Sequence, residues 1–317
     1  MQYAAAETHR YDLSSGKQGL PGLDSSPRDL IVAVNGNASR SREGDRLLAE
    51  VSGHLRRQGA RVSGQVTGSE SDLRRILESA DGRRVVLVGG DGTLHTAVNL
   101  GVPLPELAVV PTGRANNVAR ALGIPAGLAE ATRVAATAPA HPLDLLRVKT
   151  NGSCRYCVEA VSGGLQAEAR AAYDGENSGD LGAGARAFAG ALRRYRPYEV
   201  ELRVDGRPAY RGRAAQVFLS NLPFFGFGFP VDPVARVADG MLEAIVLPAD
   251  SRAAALRMLL TVYRGRHLDA AQGARRAHRA ELETPLPLTC DGTPLGVGSA
   301  SVRVEPSKLS VASPWRR

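Results

Sequence analysis

The stretch Val85–Asn99, with the sequence VVLVGGDGTLHTAVN, constrains the fold of this chain more than any other. It begins with the apolar run VVLV, which is typical of a strand buried on both faces of a parallel sheet. A glycine-rich turn around Asp91 follows. Beyond the turn, Leu94, Ala97 and Val98 recur at helical spacing. The stretch therefore predicts a buried strand, a glycine turn and a helix in direct succession.

The turn offers the chemistry of a phosphate site. Gly89, Gly90 and Gly92 permit positive φ angles and a close approach of the backbone to a ligand. A helix that begins directly after the turn presents unpaired N–H groups and a partial positive charge, and both favour phosphate. The carboxylate of Asp91 could hold a cation or accept a proton. A purely structural strand–turn–helix junction is the alternative at this point.

Strands and helices alternate over the first half of the chain. The patterns predict further strands at 30–34, 61–66, 107–110 and 143–148, and helices at 41–57, 69–80 and 118–122. This order is typical of an α/β fold, with a doubly wound parallel sheet. Polar loops around Asn35, Asp91 and Asn116 follow three of the strands. Since ligands of such sheets bind outside the carboxyl ends of the strands, we expect a site there.

The pattern changes beyond residue 150. Short alternating segments predict strands at 156–161, 199–204, 214–220, 241–246, 280–284, 301–304 and 309–311, with helices at 185–196 and 251–264. Turn signals such as Asp205-Gly206 separate them, which indicates a mainly antiparallel β domain. We predict a flexible extension over 1–27, an α/β domain over 28–145 and a β-rich domain over 146–317, whose last residues could return to the first domain.

Composition narrows the class of protein. No apolar run reaches about 18 residues, and the N-terminus lacks the apolar segment of a secretory signal, so we expect a cytoplasmic protein. The net charge of +8 indicates either an anionic partner, such as a membrane surface, or only an arginine-rich composition. Scattered arginines and few aromatic residues argue against nucleic-acid binding. Cys154 and Cys157 point to opposite faces of a predicted strand, and we expect reduced thiols there and at Cys290.

Three local features stay open between a functional and a structural interpretation. Ser162–Gly164 either approaches a ligand or ends a strand. The aromatic–glycine alternation Phe224–Phe229 either lines an apolar cleft or packs in the core. His95, close to the glycine turn, is expected to face solvent or contribute to packing rather than to act as a base.

Several elements, in order over residues 28–313, resemble the motifs of the diacylglycerol kinase and sphingosine kinase superfamily, in particular its bacterial lipid-kinase-like proteins. Gly89–Thr93 (GGDGT) resembles the signature turn of that family, and residues 111–120 (PTGRANNVAR) resemble its P-x-G-T-x-N-D-F-A-R element. Asn35–Asn37 takes the place of an N-P-x-S-G loop. The elements that match in the C-terminal half are Asn221, Pro233–Ala235, Asp239–Leu242 and Cys290–Gly292.

The resemblance implies an ATP- and Mg²⁺-dependent phosphotransferase, with the active site in the cleft between a nucleotide-binding and an acceptor domain. The acceptor would be a hydroxyl of a lipid or other apolar small molecule, with transient contact to a membrane surface and a homodimer as further expectations. Asp91 would bind or orient Mg²⁺, Asp291 would accept the hydroxyl proton, and Asp239 would hold a structural metal or brace a turn. The residues implied in ATP binding are Asn35, Gly89, Gly90, Gly92, Thr93, Gly113, Arg114 and Asn116.

Some positions depart from the motifs. The Thr and Asp of the second element fall on Arg114 and Asn117, and an Asn of the family falls on Glu159. The D-G-E element ends here in Thr293, which removes a Glu that is often assigned as base or metal-network member in the family. Arg114 could compensate through a bidentate phosphate contact. Two alternatives follow: a tailoring enzyme of the same fold that acts on a secondary metabolite, and a pseudokinase that binds nucleotide or lipid without transfer.

Overall fold

The computed structural model describes residues 28–36, 41–172, 181–226, 228–232, 235–263, 266–270 and 272–314. The predicted extension over 1–27 lies outside the described residues, as do Asn37, Phe227 and Pro233. The strands are β1 (Asp29–Asn35), β2 (Arg61–Thr67), β3 (Arg84–Gly89), β4 (Leu107–Pro111), β5 (Ala140–Thr150), β6 (Ser153–Cys157), β7 (Ala160–Gly164), β8 (Tyr198–Val204), β9 (Arg207–Ser220), β10 (Phe224–Phe225), β11 (Phe229–Pro230), β12 (Leu242–Pro248), β13 (Gln272–Ala277), β14 (Arg279–Glu283), β15 (Pro287–Cys290), β16 (Thr293–Val297) and β17 (Ala300–Ala312). The helices are α1 (Ser41–Arg57), α2 (Glu70–Glu78), α3 (Asp91–Asn99), α4 (Asn117–Ala121), α5 (Leu128–Thr137), α6 (Leu165–Ala172), α7 (Leu181–Arg194), α8 (Arg252–Tyr263) and α9 (His267–Ala270).

The N-terminal half contains a parallel sheet with the strand order β2–β1–β3–β4. Every residue of β3 is buried, as its apolar run predicts for a strand covered on both faces. In the register of the sheet, Val34 lies beside Val88 and Gly89 lies beside Pro111. The carboxyl ends of β1, β3 and β4 therefore meet at one edge. This confirms the predicted α/β class and places the three polar loops side by side.

The C-terminal half is mainly antiparallel, as predicted. Strand β9 pairs with β7, β8 and β12, and β14 joins β8 to β17. The long strands β5 and β17 pair antiparallel along their length, so the strand expected at 143–148 does not belong to the parallel sheet as predicted. The last residues of β17 pair parallel with β4, where Val311 lies beside Leu107. One hydrogen-bonded sheet therefore runs through both halves. Among the described helices, none is long and apolar enough to span a membrane.

Two predictions of strand boundaries are wrong. The single strand expected over 156–161 is broken at Val158 and Glu159, between β6 and β7. The strands expected at 301–304 and 309–311 are one strand, β17, with an irregular register between Glu305 and Leu309. Helices α5 and α6, both rich in alanine, are not among the helices expected from the sequence. The break at Glu159 depends on a distant side chain, which a local pattern does not reveal.

A buried carboxylate joins distant backbone segments in the core. Asp144, in β5, is 1% exposed. Its Oδ2 accepts a hydrogen bond from the N–H of Gly240 and its Oδ1 accepts one from the N–H of Ser307, each at 2.7 Å. The amide of Asn221 donates to the carbonyl oxygens of Asp144 and Val158, each at 2.8 Å. These contacts tie β5 to two turns of the C-terminal half.

The variant Asp144→Asn should lower the free energy of unfolding by about 1–3 kcal/mol, since its single carbonyl oxygen leaves one of the two buried N–H groups without an acceptor. Urea denaturation measures this change. Asp81→Asn serves as the control, because Asp81 lies in an exposed turn at φ 47°, which asparagine also adopts. Equal unfolding midpoints for the two variants would contradict the structural role of Asp144.

Candidate active site

The first part of the site is the turn between β3 and α3. Its backbone is so close-packed that a Cβ on Gly89 would lie 2.1 Å from Oγ1 of Thr93. That hydroxyl accepts a hydrogen bond of 3.0 Å from Nδ2 of Asn35, at the end of β1. Helix α3 begins at Asp91, and its N-cap, Gly90, supplies no side-chain hydrogen bond. The start of α3 therefore has a partial positive charge that no capping side chain satisfies.

The second part is the loop between β4 and α4, which lies against the first. The N–H of Thr112 donates to the carbonyl oxygen of Gly89 at 2.9 Å. A Cβ on Gly113 would lie 2.5 Å from Cα of Gly90, so this approach requires glycine. Asn116 closes the loop, because its Oδ1 accepts from the N–H of Gly113 and its Nδ2 donates to the Gly113 carbonyl oxygen. The structure thus brings the predicted glycine loops together.

Asp91 connects these two loops. Its Oδ2 accepts a hydrogen bond from the N–H of Asn117 and its Oδ1 accepts one from the N–H of Val118, each at 3.0 Å. A residue at the start of α3 thus caps the start of α4. Asp91 is half-buried, and each of its oxygens retains a further lone pair, which suits a hard cation such as Mg²⁺. Gly92 and Arg114 are exposed on the two loops.

The C-terminal half contributes Glu159, whose side chain is 5% exposed. Its Oε2 accepts a hydrogen bond of 2.8 Å from Nδ2 of Asn117, which also donates to the carbonyl oxygen of Gly226. Its Oε1 lies 3.0 Å from Nε2 of His95, and this nitrogen lies 3.7 Å from Oδ2 of Asp291. Of the two positions expected for His95, facing solvent is therefore wrong, and the side chain lies against the C-terminal half. One sequence signal could have placed His95 in the site: it lies four residues after Asp91, so both side chains are on the same face of α3.

Burial and charge shift the pKa values of this buried pair. Burial alone would lower the pKa of His95, but the carboxylates of Asp291, Glu159 and Asp91 outweigh it and raise the pKa to about 9. Burial raises the pKa of Glu159 to about 7, against the opposing effect of His95. An imidazolium near three carboxylates therefore lies between the two halves of the chain.

Asp291 shapes the backbone break that carries Glu159. Its Oδ1 accepts hydrogen bonds from the N–H groups of Glu159 and Ala160 and from the thiol of Cys157, and its Oδ2 accepts one from the N–H of Val158. The Asp291 side chain is 2% exposed. These contacts explain why the strand expected over 156–161 is interrupted. The role of Asp291 as proton acceptor stays a prediction.

Asp239 braces a turn, one of the two roles expected for it. Its Oδ1 accepts a hydrogen bond of 3.0 Å from the N–H of Met241, and its Oδ2 pairs with Arg276. The neighbouring Glu243 is buried, and its Oε2 has no hydrogen-bond partner among the described residues. Burial, with the charges of Asp232 and Asp239, raises the pKa of Glu243 to about 8. The guanidinium of Arg276 already faces both carboxylates, with its Nε 3.6 Å from Oε1 of Glu243, and the metal at Asp239 stays a prediction.

The features that the sequence left open have structural roles in the described residues. Residues 162–164 lie within β7 and are buried, and a Cβ on Gly163 would lie 2.6 Å from the Leu288 side chain. Phe225 packs edge-on against Phe218, with ring centroids 5.8 Å apart. The guanidinium of Arg120 lies over the ring of Phe224. The three cysteines are free, and Cys154 is exposed whereas Cys157 is buried, as opposite strand faces require.

Family models cover most of the chain. A model described as "Diacylglycerol kinase catalytic domain" matches residues 29–148, and one described as "YegS C-terminal NAD kinase beta sandwich-like domain" matches residues 159–313. A relative from Xanthomonas campestris pv. campestris (strain 8004), named "Probable lipid kinase YegS-like", is 30% identical over 284 residues, which are 85% of this chain and 91% of that protein. The chain belongs to the diacylglycerol kinase family, in its YegS-like branch. A relative of the same name from Stenotrophomonas maltophilia (strain K279a) is 29% identical over 304 residues, with 91% of this chain and 97% of that protein covered.

Solved structures place this YegS-like chain in the same fold. A candidate diacylglycerol kinase from Bacillus anthracis str. Sterne superposes with a TM-score of 0.75 at 20% identity, covering 93% of this chain and 98% of the other. An NAD kinase from Archaeoglobus fulgidus, crystallised in complex with ATP, superposes with a TM-score of 0.51 at 14% identity, covering 90% and 93%. These structures confirm the predicted fold class.

The buried pair predicts a pH dependence of stability. The folded pKa of His95 is raised from 6.5 to about 9, so its stabilising contribution is full below pH 6.5 and is lost as the pH rises through 9. The folded pKa of Glu159 is raised from 4.5 to about 7, so its contribution to stability is also lost as the pH rises, but over this lower range. Between pH 6.5 and 9 the free energy of unfolding should therefore fall by about 2–3 kcal/mol more in the wild type than in His95→Gln/Glu159→Gln.

Urea denaturation across this pH range measures the difference. His54→Gln, in the last turn of α1 and outside the buried pair, is the matched control and should keep the wild-type slope. Parallel pH profiles for the wild type and the double variant would show that His95 and Glu159 do not take up protons on folding.

Proposed function

We propose that the chain is an ATP- and Mg²⁺-dependent phosphotransferase that phosphorylates a hydroxyl of a lipid or other apolar small molecule. The observation that carries this proposal is the contact between two glycine loops, at Gly90 and Gly113, around Asp91. This arrangement lies at the carboxyl edge of a parallel sheet, where ligands of α/β folds bind. Glu159 of the C-terminal half contacts these loops through its hydrogen bond from Asn117. Membership in the diacylglycerol kinase family supports the same reaction class.

The N-terminal half supplies the phosphate contacts in this proposal. A Cβ on Gly92 would meet no atom within 4 Å, and the start of α3 supplies a partial positive charge for phosphate oxygens. Asn35 holds the hydroxyl of Thr93 in place. Arg114, exposed on the facing loop, extends a guanidinium that suits a phosphate. Asp91 would hold Mg²⁺, which neutralises phosphate charge when bound.

The acceptor remains open between a membrane lipid and a small apolar metabolite. Pseudokinase behaviour is the alternative from a different class, and the loss of the D-G-E Glu at Thr293 favours it. The intact turn around Asp91 favours catalysis. Tight ATP binding in calorimetry, without phosphate transfer to any acceptor, would support the pseudokinase.

The reaction itself is tested by transfer of the γ-phosphate of labelled ATP to diacylglycerol, sphingosine, ceramide and polyketide-like alcohols. Asp91→Asn should reduce kcat by at least about two orders of magnitude, since the metal loses a charged ligand. Asp45→Asn, an exposed residue of α1, is the control and should retain wild-type turnover. Wild-type turnover in Asp91→Asn would remove Asp91 from the metal site.

A membrane-bound acceptor requires a surface that contacts lipid. Helix α8 exposes Leu256 and Leu260, each 48% exposed and one helical turn apart. Arg252 and Arg257 are exposed on the same helix, and the chain has a net charge of +8. Apolar and basic side chains together suit an anionic lipid surface. We therefore infer that α8 makes the transient membrane contact.

The variant Leu256→Glu/Leu260→Glu should reduce the fraction of protein that sediments with phosphatidylglycerol–phosphatidylcholine vesicles by at least about fivefold, because the apolar contact is lost and like charge repels the surface. Val297→Glu, an exposed apolar position in β16 that is 72% exposed, is the control and should bind as the wild type does. Equal binding of both variants would exclude α8 as the contact.

A further inference from the structure

An amide and a carboxylate join the two halves of the chain beside the glycine turns. Asn117 lies at the start of α4, and Glu159 lies at the break between β6 and β7. In the structure these two side chains form one hydrogen bond, from Nδ2 of Asn117 to Oε2 of Glu159 at 2.8 Å. The negative charge of this contact therefore lies on the C-terminal half of the chain.

We propose that Glu159 is the proton acceptor for the hydroxyl that attacks ATP, and that His95 and Asn117 are its positioning residues. This inference rests on the proposed phosphotransfer and deepens it. The hydroxyl oxygen forms a bond to the γ-phosphorus while the bond from that phosphorus to the β,γ-bridging oxygen breaks. The electron pair of the broken bond leaves with ADP, and the hydroxyl proton moves to the Glu159 carboxylate.

The location of Glu159 relative to the glycine turn supports this role. His95, which contacts Glu159, lies four residues after Asp91 in α3, a rise of about 6 Å along the helix. Glu159 therefore contacts α3 about one helical turn beyond the residue that begins this helix at the glycine turn. A reacting hydroxyl oxygen lies about 3 Å from its base and about 3–3.5 Å from phosphorus.

The hydrogen bonding of Asn117 is incomplete in a way that points to a ligand. Asn117 is 1% exposed, and its Nδ2 donates to both Glu159 and the carbonyl oxygen of Gly226. Its Oδ1 is buried and has no hydrogen-bond partner within the described parts of the chain. An unpaired buried acceptor is costly, so a donor is expected there in the occupied site. A hydroxyl group that also contacts Glu159 supplies that donor.

The other groups near the site are less suited to accept the proton. Asp291 already accepts three backbone N–H groups and the thiol of Cys157. Thr293 is exposed on β16 and has no carboxylate. Glu159 is faced by His95 and Asp91 from α3 and by Asp291 from the turn after β15. With burial, these charges bring its pKa to about 7, where a base is effective at neutral pH.

The role of Glu159 is tested by comparing the wild type with Glu159→Gln in the labelled-ATP transfer assay with the same acceptors. We expect kcat to fall by about 10²–10⁴-fold, while the KM for ATP stays within about threefold, because proton transfer and not nucleotide binding is lost. The kcat/KM of the wild type should rise with pH to a plateau above about 7, and Glu159→Gln should lose this dependence. Glu305→Gln, a half-buried glutamate of β17 paired with Arg303, is the control.

A second variant tests whether the position of the carboxylate, and not only the contact between residues 117 and 159, determines kcat. Asn117→Asp/Glu159→Gln keeps one carboxylate and one amide at the interface but moves the carboxylate to residue 117. It loses the donor to the Gly226 carbonyl oxygen, so its unfolding midpoint in urea should fall, and it should show the same loss of kcat as Glu159→Gln. A kcat within about threefold of wild type in either variant would overturn the inference and leave the proposed phosphotransfer intact. Absence of transfer by wild type to every acceptor would overturn both.

Discussion

The carboxylate of Asp91 makes the interaction on which the rest of the site depends. It accepts the backbone N–H groups of Asn117 and Val118 and so joins the start of α3 to the start of α4. Asn117, held in this way, reaches Glu159 in the C-terminal half, and Glu159 lies against His95 of α3. These contacts connect α3 to α4, α4 to the C-terminal half, and the C-terminal half back to α3.

These contacts require that the backbones of the two glycine loops approach closely. Gly90 and Gly113 face each other at a distance that leaves no room for a Cβ on Gly113. The parallel register of β3 and β4 sets that distance, since Gly89 and Pro111 lie side by side in the sheet. Glycine at the two turns is thus a consequence of the sheet as much as of any ligand. At the start of α3, a Cβ on Gly92 would meet no atom within 4 Å, so this side of the turn is open.

The buried charges at the interface are not an efficient way to stabilise a fold. Removing carboxylates and an imidazolium from water costs free energy that their mutual attraction only partly returns. Apolar packing of the same volume would hold two halves together as well. Charged groups with shifted pKa values at an interface are more typical of a functional site. The long strands β5 and β17, and the core around Asp144, already join the two halves.

The sequence by itself determined the class of fold and the loops of the N-terminal half. Apolar runs, glycine turns and helical periodicity are local patterns, and they correctly predicted the parallel strands, the edge at which Asn35, Gly89 and Asn116 meet, and the mainly antiparallel second half. Only the tertiary structure decided the partners of Asp91, Glu159 and Asp291. These residues contact segments up to 134 residues away, and their side chains interrupt a strand and bury a histidine. Such contacts depend on the packing of both halves, and no local pattern contains that information.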